Sequence, residues 1–224
     1  MIDAVSRRYW RVGYHADPLG FIAHDLCHWS YRFDDAQRRF RSVYVAEMPE
    51  TCLREVLADL RPKASALARY QQVFGDDALE DIPTRPVTAA WRQQNMLVEA
   101  RLALAGPLVD LCDPEILYET ELHHAGLLDR YGLDHLDFSA ITISLRPVTQ
   151  TIAADLHDRL NAAAIRFPSK HDGNPCVALF EGRGHLEPAG AAVALTDPPP
   201  APLETVCAGW KLAIEPAPAV DRIR

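Results

Sequence analysis

Five residues whose side chains could bind or cleave a charged substrate are spread over two segments of the sequence. Arg11, Arg32, Tyr44 and Glu55 lie in the first sixty residues, and Ser169 lies far downstream in the run I-R-F-P-S-K-H. A guanidinium group has five fixed donors that suit a diphosphate or a ribose. An aromatic face can hold a cationic ring, and a carboxylate can stabilise a positive charge that develops during bond cleavage. Each of these residues also has an ordinary structural explanation.

For the arginines, the ordinary explanation is a surface ion pair. Arg32 stands between two aromatic residues and is followed by Asp34 and Asp35. A basic residue beside acidic ones usually forms an exposed pair of little energetic weight. Arg11, near the start of a predicted strand, has the same two interpretations, and the residues alone favour the surface pair.

Tyr44 lies in a predicted strand over residues 42–46. Small or aromatic residues alternate there with β-branched ones, so Val43 and Val45 share one face and Tyr44 points to the other. If the valines take the core, Tyr44 faces a cleft. If the strand is covered on both faces, Tyr44 is a packing residue.

Glu55 lies in a predicted helix that Pro62 ends. The residue is roughly opposite an apolar stripe, which predicts an exposed glutamate. That stripe consists of Leu53, Val56, Leu57 and Leu60.

Ser169 lies in a polar loop, residues 168–175, between predicted strands over 164–167 and 177–180. A serine in such a loop is more often a turn residue than a catalytic one. A hydrolase triad of Ser169, His171 and Asp172 is excluded, because three crowded loop residues cannot form the relay and no G-x-S-x-G run is present.

The remaining pattern predicts a mixed α/β fold (α+β mixed) in a single domain spanning residues 1–224. Residues 63–145 alternate helical stretches with Gly and Pro, which predicts a mostly helical insertion packed on the same core. A further helix begins at a cap over 149–151, residues 183–209 form an irregular Pro-rich segment, and a last strand covers 210–214.

The charge and the cysteine pattern exclude several classes of protein. A formal net charge of -8 argues against sequence-independent binding of nucleic acid, which depends on Lys and Arg neutralising phosphates. Five cysteines without a C-x-x-C pair suit reduced thiols.

Motifs for a metal or a bound nucleotide are also missing from the sequence. His24, Cys27 and His28 have no second ligand cluster, so no metal site is expected. No Walker or G-x-G-x-x-G motif is present, and with neither signal peptide nor membrane span visible we expect a cytoplasmic protein.

Several runs resemble the RES domain, which is named for an Arg, a Glu and a Ser. They are W-R-V-G, Y-R-F-D-D, S-V-Y-V-A-E, T-C-L-R-E-V-L and I-R-F-P-S-K-H-D…C-V-A-L-F-E. The resemblance covers residues 9–61 and 146–182. It implies a fold similar to the ADP-ribosyltransferases and chemistry on NAD by a bacterial toxin of a toxin–antitoxin system.

The resemblance also assigns roles. It implies that Arg11 and Arg32 hold NAD and that Tyr44 stacks near the nicotinamide. Glu55, Ser169 and Arg32 would form the catalytic set, with Ser169 also binding the ribose or the amide. The family usually has glycine where this chain has Tyr31, which suggests a remodelled pocket mouth.

The expected function is cleavage of the nicotinamide–ribose bond, with no permanently bound cofactor and NAD as the substrate. Inorganic phosphate as acceptor gives an NAD phosphorylase, and water gives a glycohydrolase. A protein acceptor gives an ADP-ribosyltransferase, and an inactive module that only binds its antitoxin is a further alternative. The implied partner is an Xre-like helix-turn-helix antitoxin, within a complex where the chain could form a homodimer; neither nucleic acid nor a membrane is an expected direct partner.

Overall fold

The structure is a computed structural model that describes residues 7–75, 85–142 and 145–216. Its described part contains eight strands in one sheet. They are β1 (Tyr9–Tyr14), β2 (Ser42–Ala46), β3 (Asn95–Leu104), β4 (Leu108–Asp110), β5 (Ala164–Pro168), β6 (Pro175–Phe180), β7 (Gly184–Pro188) and β8 (Val193–Ala194).

The strand order is β4-β5-β6-β2-β1-β3-β7, and β8 pairs with β3 at the edge. Strands β4 and β5 are parallel, whereas the other pairs are antiparallel. Strands β1 and β2 are neighbours near the middle of the sheet. The chain segments adjoining these two strands therefore lie close to one another.

Eight helices accompany the sheet in the described residues. They are α1 (Pro49–Leu57), α2 (Ala64–Phe74), α3 (Ala89–Gln94), α4 (Pro114–His123), α5 (Ala125–Arg130), α6 (Phe138–Thr142), α7 (Arg146–Arg159) and α8 (Ala201–Trp210). Short 3-10 turns cover His24–Leu26 and Ala58–Leu60. None of the helices in these described ranges combines the length and the hydrophobicity that a membrane span requires.

The two faces of the sheet carry separate apolar clusters. Val43 and Val45 belong to one cluster, while Tyr44 packs with Ala46 in the other. This is the alternation expected of a strand covered on both sides. Helices α6 and α7 lie over the Ala46 side, where Ile141 and Ile152 are buried.

The mixed α/β fold and three of the predicted strands are confirmed. The predicted strand over 42–46 is β2, and the strands over 164–167 and 177–180 are β5 and β6, each slightly longer than predicted. Both β5 and β6 are buried along almost their whole length, which explains why their sequences are nearly continuous apolar runs.

Three other predictions need correction. The helix expected to start at a cap over 149–151 begins at Arg146, with Pro147 in its first turn. The Pro-rich segment 183–209, predicted to be irregular, contains β7, β8 and most of α8. The last strand predicted over 210–214 is absent from this described stretch: α8 ends at Trp210, and Ile214 forms an isolated bridge to Val87.

Residues 63–145, for which a mostly helical insertion is predicted, contain five helices within their described part. They also contribute β3, which lies between β1 and β7 with ten residues in the sheet. This segment is therefore built into the sheet itself.

Candidate functional site

Three distant segments of the chain meet in one hydrogen-bonded group. Arg32 lies in the loop before β2, Glu55 on α1 and Ser169 directly after β5. The Nη2 atom of Arg32 donates to both carboxylate oxygens of Glu55 at 3.0 Å. The Ser169 hydroxyl donates to Oε1 of Glu55 at 2.7 Å. The structure thus brings together the three residues that the sequence analysis proposed as the catalytic set.

Helix α1 is fixed against the sheet and against the Ser169 loop. It begins with Pro49 directly after an extended Met48, a position that suits proline because the missing N–H is not needed there. The backbone N–H of Val12 on β1 donates to the Cys52 thiol at 3.2 Å. These contacts set the height of Glu55 relative to the sheet.

The loop that carries Ser169 is held by its own turn and by α1. Thr51 and Arg54 on α1 donate to the carboxylate of Asp172 at 2.8 and 2.7 Å. The turn closes with a hydrogen bond from the Gly173 N–H to the Ser169 carbonyl at 3.0 Å, and Gly173 has a φ of 75° that glycine adopts without strain. Ser169 is fully buried as a result.

The predicted exposure of Glu55 is wrong. Its side chain retains only 27% of its accessible surface, while Val56, placed on the apolar stripe, is 45% exposed. The buried face of α1 is instead formed by Thr51, Cys52, Leu53 and Leu57. Glu55 lies on the same side of α1 as Thr51 and Cys52, so its carboxylate turns inward with one edge open to solvent.

Arg32 is buried and does not form the surface pair that its neighbours suggest. It is 5% exposed, and its guanidinium lies 4.9 Å from the centre of the Phe167 ring. Asp35 pairs with Arg39 at 2.9 Å, and Asp34 accepts hydrogen bonds from other groups. Arg32 therefore has Glu55 as its carboxylate partner.

Tyr44 contributes a ring to the same side of the sheet. Its hydroxyl donates to Asp34 at 3.1 Å and accepts the Phe33 N–H at 3.0 Å. Burial raises the pKa of Tyr44 well above its ordinary value, and burial also raises the pKa of Asp34. These two contacts anchor the hydroxyl and fix the orientation of the ring.

Tyr31, for which the resemblance to the RES domain implies glycine, lies at the edge of this group. Its ring is 52% exposed and its centre is 5.6 Å from that of Tyr44. Its backbone N–H donates to Asp34 at 2.8 Å, and its carbonyl accepts from Gln150 at 3.0 Å. The left-handed backbone in this loop is at Trp29, with a φ of 55°, and not at Tyr31, so a side chain is accommodated without strain.

Arg11 lies on the opposite face of the sheet from Tyr44. Trp10 pairs with Ala46 across β1 and β2, which puts Arg11 on the face of Val45. Its Nη1 donates to the carbonyl of Gly20 at 2.7 Å, and burial lowers its pKa to about 10. The structure does not bring Arg11 to the group formed by Arg32, Glu55 and Ser169.

Two residues near the site had no assigned role in the sequence analysis. Arg146, the first residue of α7, interacts electrostatically with both Arg32 and Glu55. His171 donates its backbone N–H to the Ser169 hydroxyl at 3.1 Å, and its ring lies against Trp210. The sequence offered two signals for them: Pro147 directly follows Arg146, and His171 lies two residues after Ser169.

His171 makes the stability of the fold depend on pH. Burial lowers the pKa of His171 below its ordinary 6.5. The unfolded chain therefore takes up this proton at a higher pH than the folded chain, and stability falls as the pH drops below about 6.5. We expect the melting temperature of the wild type to fall more between pH 7.5 and 5.5 than that of His171→Gln.

The exposed His185 gives the control for this measurement. Its side chain is 68% exposed, so His185→Gln is expected to keep the wild-type pH dependence. Equal slopes for His171→Gln and the wild type would contradict a neutral buried imidazole at this position.

One group of metal-ligating residue types is found in the described part of the chain, away from the Glu55 group. His123, His124 and Asp155 place one ligand atom each within 4.8 Å of one another. Arg159 already pairs with Asp155 at 3.0 Å. The histidines and cysteine at positions 24–28, which the sequence places together, do not form such a group in this region.

Comparisons with known proteins identify the family. A model described as the RES domain matches residues 8–203, so the chain belongs to the RES domain family and the resemblance seen in its motifs is confirmed. Among solved structures, a chain of the M. tuberculosis MbcT–MbcA toxin–antitoxin complex is similar, with 14% sequence identity and a TM-score of 0.46. That match covers 90% of this chain and 89% of the other. The comparison with curated proteins gave no match.

Proposed function

We propose that this chain cleaves the bond between nicotinamide and ribose in NAD. The observation that carries the proposal is the buried group of Arg32, Glu55 and Ser169, assembled from three separate segments around one partly open carboxylate. A carboxylate oriented by a guanidinium and a hydroxyl suits a reaction in which positive charge develops on a sugar. The family resemblance of the same three residues supports NAD as the substrate.

Cleavage requires stabilisation of the ribose as the C–N bond breaks. The bonding electrons pass to the nicotinamide nitrogen, which becomes neutral, and the ribose acquires oxocarbenium character. A carboxylate has about four lone-pair positions, of which Arg32 and Ser169 occupy only part. Among the described residues, Oε2 of Glu55 accepts from Arg32 alone. It therefore retains capacity for a ribose hydroxyl while the negative charge faces the developing cation.

The rings of Tyr44 and Tyr31 border the site. The Tyr44 ring, with its hydroxyl anchored on Asp34, and the exposed Tyr31 ring beside it offer faces for a cationic pyridinium. Departure of neutral nicotinamide weakens this attraction, which favours product release. In this account Tyr31 replaces the open space of a glycine with additional stacking surface.

The acceptor of the ADP-ribosyl group distinguishes three enzymes. We propose inorganic phosphate or water, with a protein acceptor as the alternative. The test is to incubate the purified chain with NAD, with and without inorganic phosphate, and to identify the products by mass. ADP-ribose phosphate formed only with phosphate defines a phosphorylase, free ADP-ribose a hydrolase, and a mass added to a protein a transferase.

We also propose that the chain acts as the toxin of a toxin–antitoxin pair whose partner is an Xre-like protein. The family resemblance supports this role. Expression without the partner should lower cellular NAD and arrest growth, and co-expression should restore both. Growth arrest without NAD loss would instead favour a module that acts by binding only.

Ser169→Ala tests the role of the serine. The variant removes the hydrogen bond to Glu55 and the acceptor for the His171 N–H, which leaves the carboxylate less constrained. We expect nicotinamide release to fall by about 10- to 100-fold and stability by about 1–2 kcal/mol. Ser139→Ala, which changes an exposed helical serine, is the matched control, and equal activity in the two variants would contradict the role of Ser169.

A further inference from the structure

Arg146 has a buried donor without an acceptor. Its Nη1 atom is inaccessible to solvent and has no hydrogen-bond partner within the described residues. An unsatisfied buried donor costs free energy, and more when it is charged. By contrast, the guanidinium of buried Arg166 contacts Asp110 and Glu47 at 2.9 and 2.8 Å.

The surroundings of Arg146 add to this cost. It is the first residue of α7, a helix of 14 residues, where the helix dipole disfavours a cation. Burial is the largest cause that lowers its pKa, and repulsion from Arg32 is the next. Glu55 interacts with it but is already paired with Arg32. Arg146 is therefore held at a position that disfavours its positive charge.

We propose that Arg146, with Arg32, forms a subsite for a phosphate group next to Glu55. A bound phosphate would accept from the free Nη1, offset the repulsion between the two guanidinium groups and be favoured by the start of α7. The planar fork of arginine matches phosphate oxygens. This inference rests on the proposed function for the source of the phosphate: either the diphosphate of the dinucleotide or an inorganic phosphate acceptor.

Calorimetry on Arg146→Gln separates the two sources without any bond cleavage. ADP-ribose, which carries the diphosphate, and inorganic phosphate are titrated separately into the wild type and the variant. We expect at least one of the two to bind about 10- to 100-fold more weakly to the variant, since a charged hydrogen bond is lost. Because Nη1 of Arg146 has no hydrogen-bond partner among the described residues, the melting temperature of the variant should equal or exceed that of the wild type.

Arg159→Gln is the matched control. Arg159 is the last residue of the same helix, pairs with Asp155, and its loss should leave both affinities unchanged. Weaker binding of ADP-ribose alone assigns the subsite to the dinucleotide, weaker phosphate binding alone assigns it to the acceptor, and weakening of both indicates a shared position.

Unchanged affinities in Arg146→Gln, or a wild type that binds neither ligand, would overturn the subsite. Loss of the phosphate subsite in this experiment can be distinguished from failure of the proposed NAD cleavage. A chain that binds ADP-ribose through Arg146 but releases no nicotinamide from NAD would retain the subsite and lose the enzyme.

Discussion

Glu55→Gln is expected to lower nicotinamide release from NAD by about 100- to 1,000-fold, the scale of losing one well-placed electrostatic contact to a transition state. Glutamine keeps the size of the side chain and one oxygen for Arg32 or Ser169. It removes the negative charge that faces the ribose. Initial rates of nicotinamide release, measured at saturating NAD, give the comparison.

The same substitution is expected to destabilise the fold. Arg32 is 5% exposed, so removal of its partner leaves a buried charge without compensation. We expect a loss of about 1–3 kcal/mol in the free energy of unfolding, reduced from the value for a fully buried pair because Glu55 keeps an edge in solvent. A second change, Arg32→Gln in the Glu55→Gln chain, should restore part of this loss. Full activity in Glu55→Gln, with its melting temperature unchanged, would contradict the assigned role of the carboxylate.

Arg32→Lys is expected to have the second-largest effect on activity, a loss of about 10- to 1,000-fold. Lysine keeps the charge but loses the planar fork that contacts Glu55, the Pro168 carbonyl and the Phe167 face. An ammonium group cannot make these contacts at once. The carboxylate would then be free to move from its position against the ribose.

Arg39→Lys provides the control for this variant. Arg39 forms a comparable pair with Asp35 on a more exposed part of the surface, away from Glu55. Its replacement should leave nicotinamide release unchanged. Wild-type activity in Arg32→Lys would show that Arg32 serves only as a structural ion pair.

The sequence predicted the strands that carry the strongest local signals. In β2, β-branched residues alternate with others, and β5 and β6 are apolar runs that flank a polar loop. The motifs that resemble the RES domain predicted the set Arg32, Glu55 and Ser169, which the fold brings within hydrogen-bonding distance. The residue types and their order along the chain were sufficient to predict these strands and this set of residues.

Strand β3 was not predicted because two signals conflict in it. Glu99 and Arg101 alternate with Ala100 and Leu102, which is a period of two. Leucine, alanine and glutamate nevertheless favour helices, and pairing with β1 and β7 on both sides overrides that preference. Helix α8 was missed for a related reason: its prolines lie before or within the first turn, where proline is compatible with a helix.

The inward position of Glu55 and the position of Arg146 depend on tertiary contacts. The rotation of α1 follows from its contacts with Val12 on β1 and with Asp172 on the Ser169 loop. A helical wheel of α1 contains neither of these partners. Arg146 precedes a proline in a segment with weak periodicity. Its proximity to Arg32 and Glu55 follows only from how α7 packs on the sheet.

Release of free nicotinamide from NAD, measured for the purified wild type and for Glu55→Gln, decides whether this chain cleaves NAD with the help of Glu55. We expect release by the wild type, with inorganic phosphate or water as the acceptor, and a loss of about 100-fold or more in the variant. No release by the wild type with phosphate, water or added protein as acceptor, or equal release by both chains, would contradict it.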